Sequence, residues 1–396
     1  MSQEVVTPRI RGFIATNAHP DGCAANVRRQ IEIAESKLPG KGLGNVLVIG
    51  SSTGYGLASA LSTCFGYHAN TLGVCFERPS TEDRGASAGW YNLAEAHRAA
   101  AEQGRMLETI NGDAFSAEVK AEALDALRRR FGKLDLLIYS LAAPRRQGPD
   151  GEVWNSVLKP IGASHTSKAV DLRNATIGTQ TFEPATDDEI EATRRVMGGD
   201  DWADWIEALQ EVDLLADGFR TVAYSYIGPV VTQQLYRSGT IGRAKEHLEA
   251  TGTDLAAGLA ERHDEGAWVS VNKAVVTQAS AAIPGVPLYL GMLTKTLTAR
   301  GLEEGPIEQI VRLFTDHIGP GASPQLDDAG RIRLDDREML ADVQELISRV
   351  WDEVTTESLE ELANFSGYQR AFRQLFGFEV DGVDYDAPTE IHRELV

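Results

Sequence analysis

Two side chains with complementary chemistry, Tyr236 and Lys245, lie nine positions apart. A nearby ammonium group favours the ionised form of a tyrosine hydroxyl, so such a pair can stabilise a developing oxyanion and relay a proton. On one uninterrupted helix the two side chains would lie on about opposite faces, since each residue turns about 100°. Gly239 and Gly242 supply a break, so Lys245 is predicted to point back from a new helix. Taken alone, residues at this distance are more often unrelated.

A glycine-rich turn is predicted between a strand and a helix in the N-terminal part of the chain, well before Tyr236 and Lys245. Gly50, Gly54 and Gly56 follow the apolar run 46–49. Glycine lets the backbone turn tightly and approach a pyrophosphate, which then binds the free N–H groups of a helix N-terminus. An ordinary strand-to-helix turn is the alternative interpretation. No Gly-Lys-Ser or Gly-Lys-Thr is present in the turn, which argues against an ATP-type phosphate loop.

An acidic residue, Glu77, lies 21 positions after Gly56, at the end of the second predicted strand. A carboxylate there accepts hydrogen bonds from both hydroxyls of an adenine ribose and repels a 2′-phosphate, which favours NADH over NADPH. The neighbouring Arg78 leaves this preference open, because a basic residue accommodates that phosphate. A solvated surface charge is the alternative for Glu77.

Alternating strands and helices predict an α/β fold with a Rossmann-type doubly wound parallel sheet, which resembles the sheet of short-chain dehydrogenases. Strands are predicted at 45–49, 71–76, 134–140, 221–227 and 268–276, and helices at 26–38, 117–130, 202–215 and 241–262. We predict one enlarged domain over residues 1–396. Within it, 145–200 is an insertion that covers the substrate, and 300–396 is a helical C-terminal extension with a turn between short strands inside 376–385.

The acidic net charge of the chain limits the classes of molecule that it is expected to bind. A net charge of −20 argues against nucleic acid binding and against stable association with anionic membranes, because both require surplus Lys and Arg. A phosphorylated ligand would therefore need local basic residues. Arg145, Arg146 and Lys159 are candidates, with solvated surface charge as the alternative.

Cysteine usage and the N-terminus indicate the compartment. Cys23, Cys64 and Cys75 form neither a disulfide framework nor a metal-ligand spacing, so no metal site is expected. The N-terminus lacks the basic start and short apolar core of a secretory signal. The longest apolar stretch, 275–293, is interrupted by prolines and is not expected to span a bilayer. These features predict a cytoplasmic protein.

The stretches around the tyrosine–lysine pair resemble one known family. The segments 224–229 and 236–248, with a lysine nine positions after a tyrosine, are similar to the FabV-type enoyl reductase and trans-2-enoyl-CoA reductase family. The same resemblance extends over 19–27, 88–92, 139–146, 158–162 and 271–280. No tyrosine has a lysine four residues later, as in ordinary short-chain dehydrogenases, or seven later, as in the commoner enoyl reductases.

The resemblance implies roles for individual residues. Tyr236 is implied to be the catalytic acid, Lys245 to hold the nicotinamide ribose and tune Tyr236, and Tyr226 to contact the thioester carbonyl. It also implies NADH contacts, at Gly50, Ser51, Ser52, Thr53, Gly54, Tyr55, Phe76, Glu77, Asp113, Ala114, Leu141, Ala142, Val275, Val276 and Thr277. The loop 78–84 carries more arginine than the family pattern, which weakens the inference on cofactor preference.

The reaction implied is NADH-dependent reduction of the C2–C3 double bond of a trans-2-enoyl thioester in fatty acid synthesis. The substrate would be an enoyl-CoA or an enoyl-acyl-carrier-protein, and the resemblance favours a monomer. A carbonyl reductase of the wider short-chain superfamily is the enzymatic alternative, disfavoured because a lysine four residues after a tyrosine is missing. A non-enzymatic protein that senses a dinucleotide is the alternative from another class.

Overall fold

The structure is a computed structural model that describes residues 3–263, 266–283 and 285–395. Its strands are β1 (Gln3–Glu4), β2 (Ile10–Arg11), β3 (Ile14–Ala15), β4 (Asn45–Ile49), β5 (Asn70–Cys75), β6 (Leu107–Asn111), β7 (Leu134–Tyr139), β8 (Arg145–Gln147), β9 (Val153–Asn155), β10 (His165–Asp171), β11 (Thr176–Phe182), β12 (Leu215–Ser225), β13 (Ala267–Val271), β14 (Ile332–Arg333) and β15 (Thr389–Glu390).

The α-helices alternate with these strands. They are α1 (Pro20–Lys37), α2 (Gly54–Leu61), α3 (Ala88–Glu102), α4 (Ala117–Ala126), α5 (Asp187–Met197), α6 (Asp200–Glu211), α7 (Thr240–His263), α8 (Gln278–Ala281), α9 (Val286–Ala299), α10 (Pro306–Leu313), α11 (Ala341–Glu353), α12 (Leu359–Ala363) and α13 (Phe365–Gln374). Helices α2, α4 and α10 each continue into a π-helical turn, at Ser62–Gly66, Leu127–Phe131 and Phe314–Ile318.

Seven strands form one parallel sheet in the order β14-β13-β12-β7-β4-β5-β6. The chain runs from β4 outward to β5 and β6, then returns to β7 on the other side of β4. The direction of winding therefore reverses between β4 and β7. Doubly wound sheets open a ligand crevice at the carboxyl ends of the strands at such a reversal. The predicted fold class is confirmed.

Both faces of the central strands are buried, which explains their continuous apolar runs. In β4, Leu47 and Ile49 belong to one hydrophobic cluster, which α4, α6 and α7 cover. Val46 and Val48 belong to a second cluster on the opposite face, which α1, α2 and α10 cover. The helices thus form a layer on each side of the sheet.

Some predicted elements differ from the structure at their ends, and one predicted pair of short strands does not form. The helix predicted at 202–215 ends at Glu211, because Asp213 takes a left-handed φ of 55° and β12 starts at Leu215. The strand predicted at 268–276 ends at Val271, since its neighbour β12 ends at Ser225 and offers no further partner. The short strands predicted within 376–385 are absent from this fully described segment; instead β15 pairs with β1.

Residues 145–200 and the C-terminal region meet. The first region contains two antiparallel hairpins, β8 with β9 and β10 with β11, followed by α5. Lys168 in β10 donates from Nζ to the carbonyl oxygen of Trp351 at 2.5 Å, and the amide of Ile177 in β11 donates to Thr356 at 2.9 Å. Beyond residue 300, helices α10–α13 dominate, and β14 adds the last strand to the main sheet.

In the part of the chain that the structure describes, no helix is both long and apolar enough to pass through a lipid bilayer.

Gly50 lets the chain after β4 lie in direct contact with the chain after β7, which yields a test of stability. Its φ is +86°, and a Cβ there would lie 2.1 Å from the carbonyl oxygen of Ser140. We expect Gly50→Ala to lower the free energy of unfolding by about 3 kcal/mol, since left-handed strain and a backbone clash add. Urea unfolding would measure this change.

Gly104 is the matched control for Gly50, because it has a φ of +64° with nothing within 4 Å of a Cβ. Gly104→Ala is expected to cost only the strain of the left-handed conformation, about 1 kcal/mol. Equal losses in the two variants would show that the contact with Ser140 is unimportant.

Candidate active site

Tyr236 lies in a turn that ends where α7 begins. Its carbonyl oxygen accepts hydrogen bonds from the amides of Gly239 at 3.2 Å and Gly242 at 2.9 Å. Helix α7 starts at Thr240, so Lys245 stands in its second turn. The predicted break between Tyr236 and Lys245 is confirmed.

Glycine is required at both ends of this break. A Cβ at Gly242 would lie 1.8 Å from the carbonyl oxygen of Arg237. A Cβ at Gly239 would lie 2.5 Å from the carbonyl oxygen of Leu235 and 2.7 Å from that of Lys159. Any side chain here would push the Tyr236 turn away from α7, because only glycine lets backbones approach so closely.

The structure brings Tyr226 and Tyr236 together. Tyr226 follows β12 at the carboxyl edge of the sheet, and its ring meets the ring of Tyr236 edge to face, with 5.0 Å between centroids and 70° between planes. This T-shaped arrangement is a favourable one for aromatic rings. Two tyrosine hydroxyls therefore belong to one small region beside the start of α7.

Burial controls the charges of the predicted pair. It lowers the pKa of Lys245, only 7% exposed, to about 8, and the carboxylate of Glu249 partly opposes this shift. Burial also raises the pKa of Tyr236 well above its usual value. Tyr236 therefore holds its proton as a neutral donor, and the expected influence of Lys245 on its ionisation stays a prediction.

A buried carboxylate, Glu338, lies behind the tyrosines and is 0% exposed. Its Oε1 accepts from the hydroxyl of Tyr289 at 2.7 Å and from that of Tyr226 at 3.1 Å, and its Oε2 accepts from the amide of Ala274 at 2.7 Å. Burial raises the pKa of Glu338, while the Tyr289 and Ala274 donors and the charge of Lys273 oppose the rise.

Sequence reasoning missed Glu338. It follows Tyr226 by 112 residues and lies in an acid-rich segment, where nothing in its neighbours marks it as buried. Only the packing of the turn before α11 against α9 reveals it.

The glycine turn after β4 fits a dinucleotide. A Cβ at Gly56 would lie 1.8 Å from the carbonyl oxygen of Gly50, so the first turn of α2 packs directly on the end of the strand. Gly54 starts α2 with a φ of +53° and open space around it. The side chain of Thr53 makes no capping hydrogen bond, so it does not cover the N–H groups of this helix end. Bare backbone and free N–H groups suit a pyrophosphate.

Three predicted cofactor side chains in this turn make internal contacts. Ser51 and Ser52 are buried, and Ser52 donates to Oε1 of Glu77 at 2.6 Å. The Tyr55 hydroxyl donates to the carbonyl oxygen of Lys273 at 2.7 Å, which ties the turn to the end of β13. Their hydroxyl protons therefore hold the turn in place, and what the turn offers a ligand is chiefly backbone.

Glu77 is oriented at the carboxyl end of β5. Besides the Ser52 bond, its Oε2 accepts from the hydroxyl of Ser87 at 2.5 Å. Gly89 makes room for it, since a Cβ there would lie 2.1 Å from Oε1. Arg78 points elsewhere and donates to the carbonyl oxygen of Gly85 at 2.6 Å. The neighbouring aromatic ring of Phe76 is 79% exposed, a large apolar surface beside the crevice.

The remaining predicted cofactor residues also follow strands of the main sheet. Asp113 and Ala114 come after β6, and an Asp113 carboxylate oxygen accepts from the amide of Phe115 at 3.0 Å. Leu141 and Ala142 follow β7, with Ala142 exposed.

The last predicted group, Val275, Val276 and Thr277, comes after β13 and is partly exposed. The Thr277 hydroxyl caps α8 by accepting from the amide of Ser280 at 3.0 Å. Because the strands are parallel, all of these groups lie at the same edge of the sheet.

Two of the candidate phosphate-binding residues are already paired. Arg146 is buried and binds Asp204 at 2.9 Å. Lys159 binds Glu189 at 2.5 Å. Arg145 is the exposed member of the three.

Comparison with known proteins assigns the family. Residues 84–318 match the family described as "Trans-2-enoyl-CoA reductase catalytic region", and residues 5–82 match "NAD(P)H binding domain of trans-2-enoyl-CoA reductase". The chain belongs to the trans-2-enoyl-CoA reductase family. The resemblance found in the sequence is thereby confirmed. A third match, over residues 326–389, is described as "Enoyl reductase FAD binding domain".

Relatives cover almost the whole chain. The enoyl-[acyl-carrier-protein] reductase [NADH] of Pseudoalteromonas atlantica is 51% identical over 96% of this chain and 97% of its own. The trans-2-enoyl-CoA reductase [NADH] of Ruminiclostridium cellulolyticum is 47% identical over 98% of both. The crystal structure of Treponema denticola trans-2-enoyl-CoA reductase in complex with NAD has a TM-score of 0.93 and 45% identity, covering 98% of each chain.

Residues 326–389, all of them described, do not fit a flavin dinucleotide. Their strand β14 is two residues long, and the link 334–340 from it to α11 contains no glycine. Helices α11–α13 bury their apolar faces against α9, through residues such as Ile347, Trp351 and Phe365. The segment therefore serves as packing and as the source of Glu338, and we assign no chemistry to a flavin.

The buried ammonium of Lys245 yields a test by pH. Below pH 8 the folded protein carries this charge, and between pH 8 and the ordinary pKa of 10.5 the unfolded chain binds the proton more tightly. The contribution of Lys245 to the free energy of unfolding therefore rises with pH in this window. We expect Lys245→Met to stabilise the protein at neutral pH by on the order of 2–3 kcal/mol.

Urea unfolding at a series of pH values would measure this gain, which should shrink toward pH 10.5. Lys37→Met, at an exposed position in α1, controls for general effects of losing a lysine. If the free energy of unfolding gained by Lys245→Met did not change with pH, or if there were no gain at neutral pH, burial would not destabilise the charged form of Lys245.

Proposed function

We propose that this protein reduces the C2–C3 double bond of trans-2-enoyl thioesters, carried by coenzyme A or acyl carrier protein, with NADH in fatty acid synthesis. The proposal rests on the Tyr226–Tyr236 pair, whose ring centroids are 5.0 Å apart. The pair lies at the same edge of the sheet as the glycine turn after β4, where the backbone has no side chain over it. Relatives at 47% and 51% identity are named for the two substrate carriers.

Bound NADH would supply a hydride to C3 of the substrate. Negative charge then collects on the thioester oxygen, where a neutral phenol can donate a hydrogen bond. Tyr236 suits this role because burial keeps its proton in place. The bond strengthens as charge develops, so it stabilises the transition state more than the bound substrate. Protonation at C2 completes the reduction.

Lys245 and Tyr226 position the reactants in this proposal. The Lys245 ammonium would donate hydrogen bonds to the hydroxyls of the nicotinamide ribose. These bonds would replace some of the hydrogen bonds to water that the ammonium loses on burial. Tyr226 would contact the thioester beside Tyr236, as their ring contact supports.

The cofactor would extend along the carboxyl edge of the sheet. We propose that its pyrophosphate rests on the backbone of Gly50–Tyr55 and that its adenosine reaches Phe76 and Glu77. Further contacts would come from the ends of the other strands, at Asp113, Ala114, Leu141, Ala142, Val275, Val276 and Thr277. The exposed ring of Phe76 and the oriented carboxylate of Glu77 support the adenosine end.

We also propose that the chain acts as one enlarged domain and as a monomer, in the cytoplasm. Residues 145–200 would cover the substrate, and the hydrogen bond from Lys168 to Trp351 supports a fixed position for this region on the C-terminal helices.

The central test is reduction of crotonyl-CoA by wild type and Tyr236→Phe. We expect NADH absorbance to fall with crotonyl-CoA, and Tyr236→Phe to lower kcat/KM by roughly 10²–10³-fold, the cost of one lost oxyanion donor. Tyr368→Phe is the control, because the buried Tyr368 hydroxyl has no hydrogen-bond partner among the described residues.

A ketone substrate in a parallel assay separates the alternatives. NADH consumption with the ketone alone would indicate a carbonyl reductase, and NADH binding without any turnover would indicate a sensor. Either result would contradict the proposal.

Glu77 yields a prediction on cofactor affinity. We expect Glu77→Gln to raise the KM for NADH by roughly 10-fold to 100-fold, because charge-assisted hydrogen bonds to the ribose are lost. The kcat should change little, since these bonds are the same in ground and transition states. Initial rates at varied NADH and saturating crotonyl-CoA would measure both. Glu82→Gln, in the same exposed loop, is the control; equal effects would remove Glu77 from the ribose site.

A further inference from the structure

Three hydrogen-bond donors converge on the two oxygens of Glu338. They are the hydroxyls of Tyr226 and Tyr289 on Oε1 and the amide of Ala274 on Oε2. Burial raises the pKa of Glu338, and the Tyr289 and Ala274 donors oppose this rise and favour the ionised form. That form only accepts hydrogen bonds, so each donor gives its proton to the carboxylate. Glu338 is closed off from solvent, so no water competes for these bonds.

A tyrosine hydroxyl has one proton to donate. At 3.1 Å from Oε1, the Tyr226 hydroxyl directs that proton to Glu338. The oxygen of that hydroxyl then offers a substrate only lone pairs, which repel the negative oxygen of an enolate. For Tyr236 no hydrogen-bonded side-chain partner appears among the described residues, so its proton stays available.

We propose that Glu338 withholds the proton of Tyr226 and so makes Tyr236 the single hydrogen-bond donor to the thioester oxygen. This inference rests on the proposed function and refines the contact of Tyr226 with the thioester to one of packing. Glu338 is then a positioning residue, because it acts through Tyr226. Its backbone carbonyl is itself held, accepting from Nε2 of Gln344 at 2.6 Å.

Glu338→Gln keeps the shape of the side chain but reverses the direction of its hydrogen bond with the Tyr226 hydroxyl. The amide oxygen can still accept from Ala274, which places the NH₂ group at the position of Oε1. That group donates to the Tyr226 oxygen, and the Tyr226 proton becomes free to point into the cleft. The variant thus creates a second donor beside Tyr236.

The test is a double-mutant cycle in kcat/KM with crotonyl-CoA and NADH. In the wild-type background Tyr236→Phe should cost roughly 10²–10³-fold. In the Glu338→Gln background the same change should cost at least about tenfold less, because Tyr226 now donates. Equal costs in the two backgrounds would overturn the inference, and so would a larger cost with Glu338→Gln.

Tyr226→Phe provides a second test that leaves Glu338 intact. Since the hydroxyl that is lost donated its proton to Glu338 and not to the substrate, this change should cost at least about tenfold less in kcat than Tyr236→Phe. An equal cost would mean that Tyr226 donates to the substrate, and would overturn the inference even if Glu338→Gln did not fold. Tyr289→Phe removes another donor from the same oxygen without touching Tyr236, and shows how much of any loss is structural.

The two proposals fail in distinguishable ways. Absence of crotonyl-CoA reduction by wild type would overturn the proposed function itself. Normal reduction by wild type, with independent effects of Glu338→Gln and Tyr236→Phe, would overturn only the role of Glu338.

Discussion

Close backbone approach at the carboxyl edge of the sheet is the constraint on which the rest of the site depends. At Gly50 a Cβ would lie 2.1 Å from the Ser140 carbonyl oxygen, and at Gly242 it would lie 1.8 Å from that of Arg237. The first contact lies where β4 and β7 end, at the reversal of the sheet. The second lets α7 start next to the Tyr236 turn. Both contacts are possible because glycine has no side chain, and neither depends on an attractive interaction.

Buried charge is the second constraint. Lys245 and Glu338 are both buried, and burial disfavours the charged form of each. It therefore lowers the pKa of Lys245 and raises the pKa of Glu338. Glu338 is compensated by three donors of the protein itself. Lys245 has weaker compensation, from Glu249, which suits a residue whose partner is a bound ligand. The burial of Lys245 thus reduces stability at the residue that is proposed to bind the nicotinamide ribose.

Local patterns were sufficient for the parallel sheet and for the glycine turn after β4. Apolar runs such as 134–140 predicted strands buried on both faces, and Gly50 and Gly54 predicted the strand-to-helix turn. Boundaries failed where pairing decided them: β13 ends at Val271 because β12 gives it no further partner. The burial that raises the pKa of Tyr236 could not be predicted, since a Tyr–Lys spacing reveals charge but not the depth of burial.

The sequence by itself determined which residue types could carry the chemistry, and the glycines that must lie between them, because chain geometry and backbone sterics are local. Only the tertiary structure decided which groups meet. Glu338, 112 residues after Tyr226, reaches its hydroxyl because α9 and the turn before α11 pack against the end of the sheet. Where each proton points depends on that packing, since the hydrogen-bond partners of a buried hydroxyl come from distant parts of the chain.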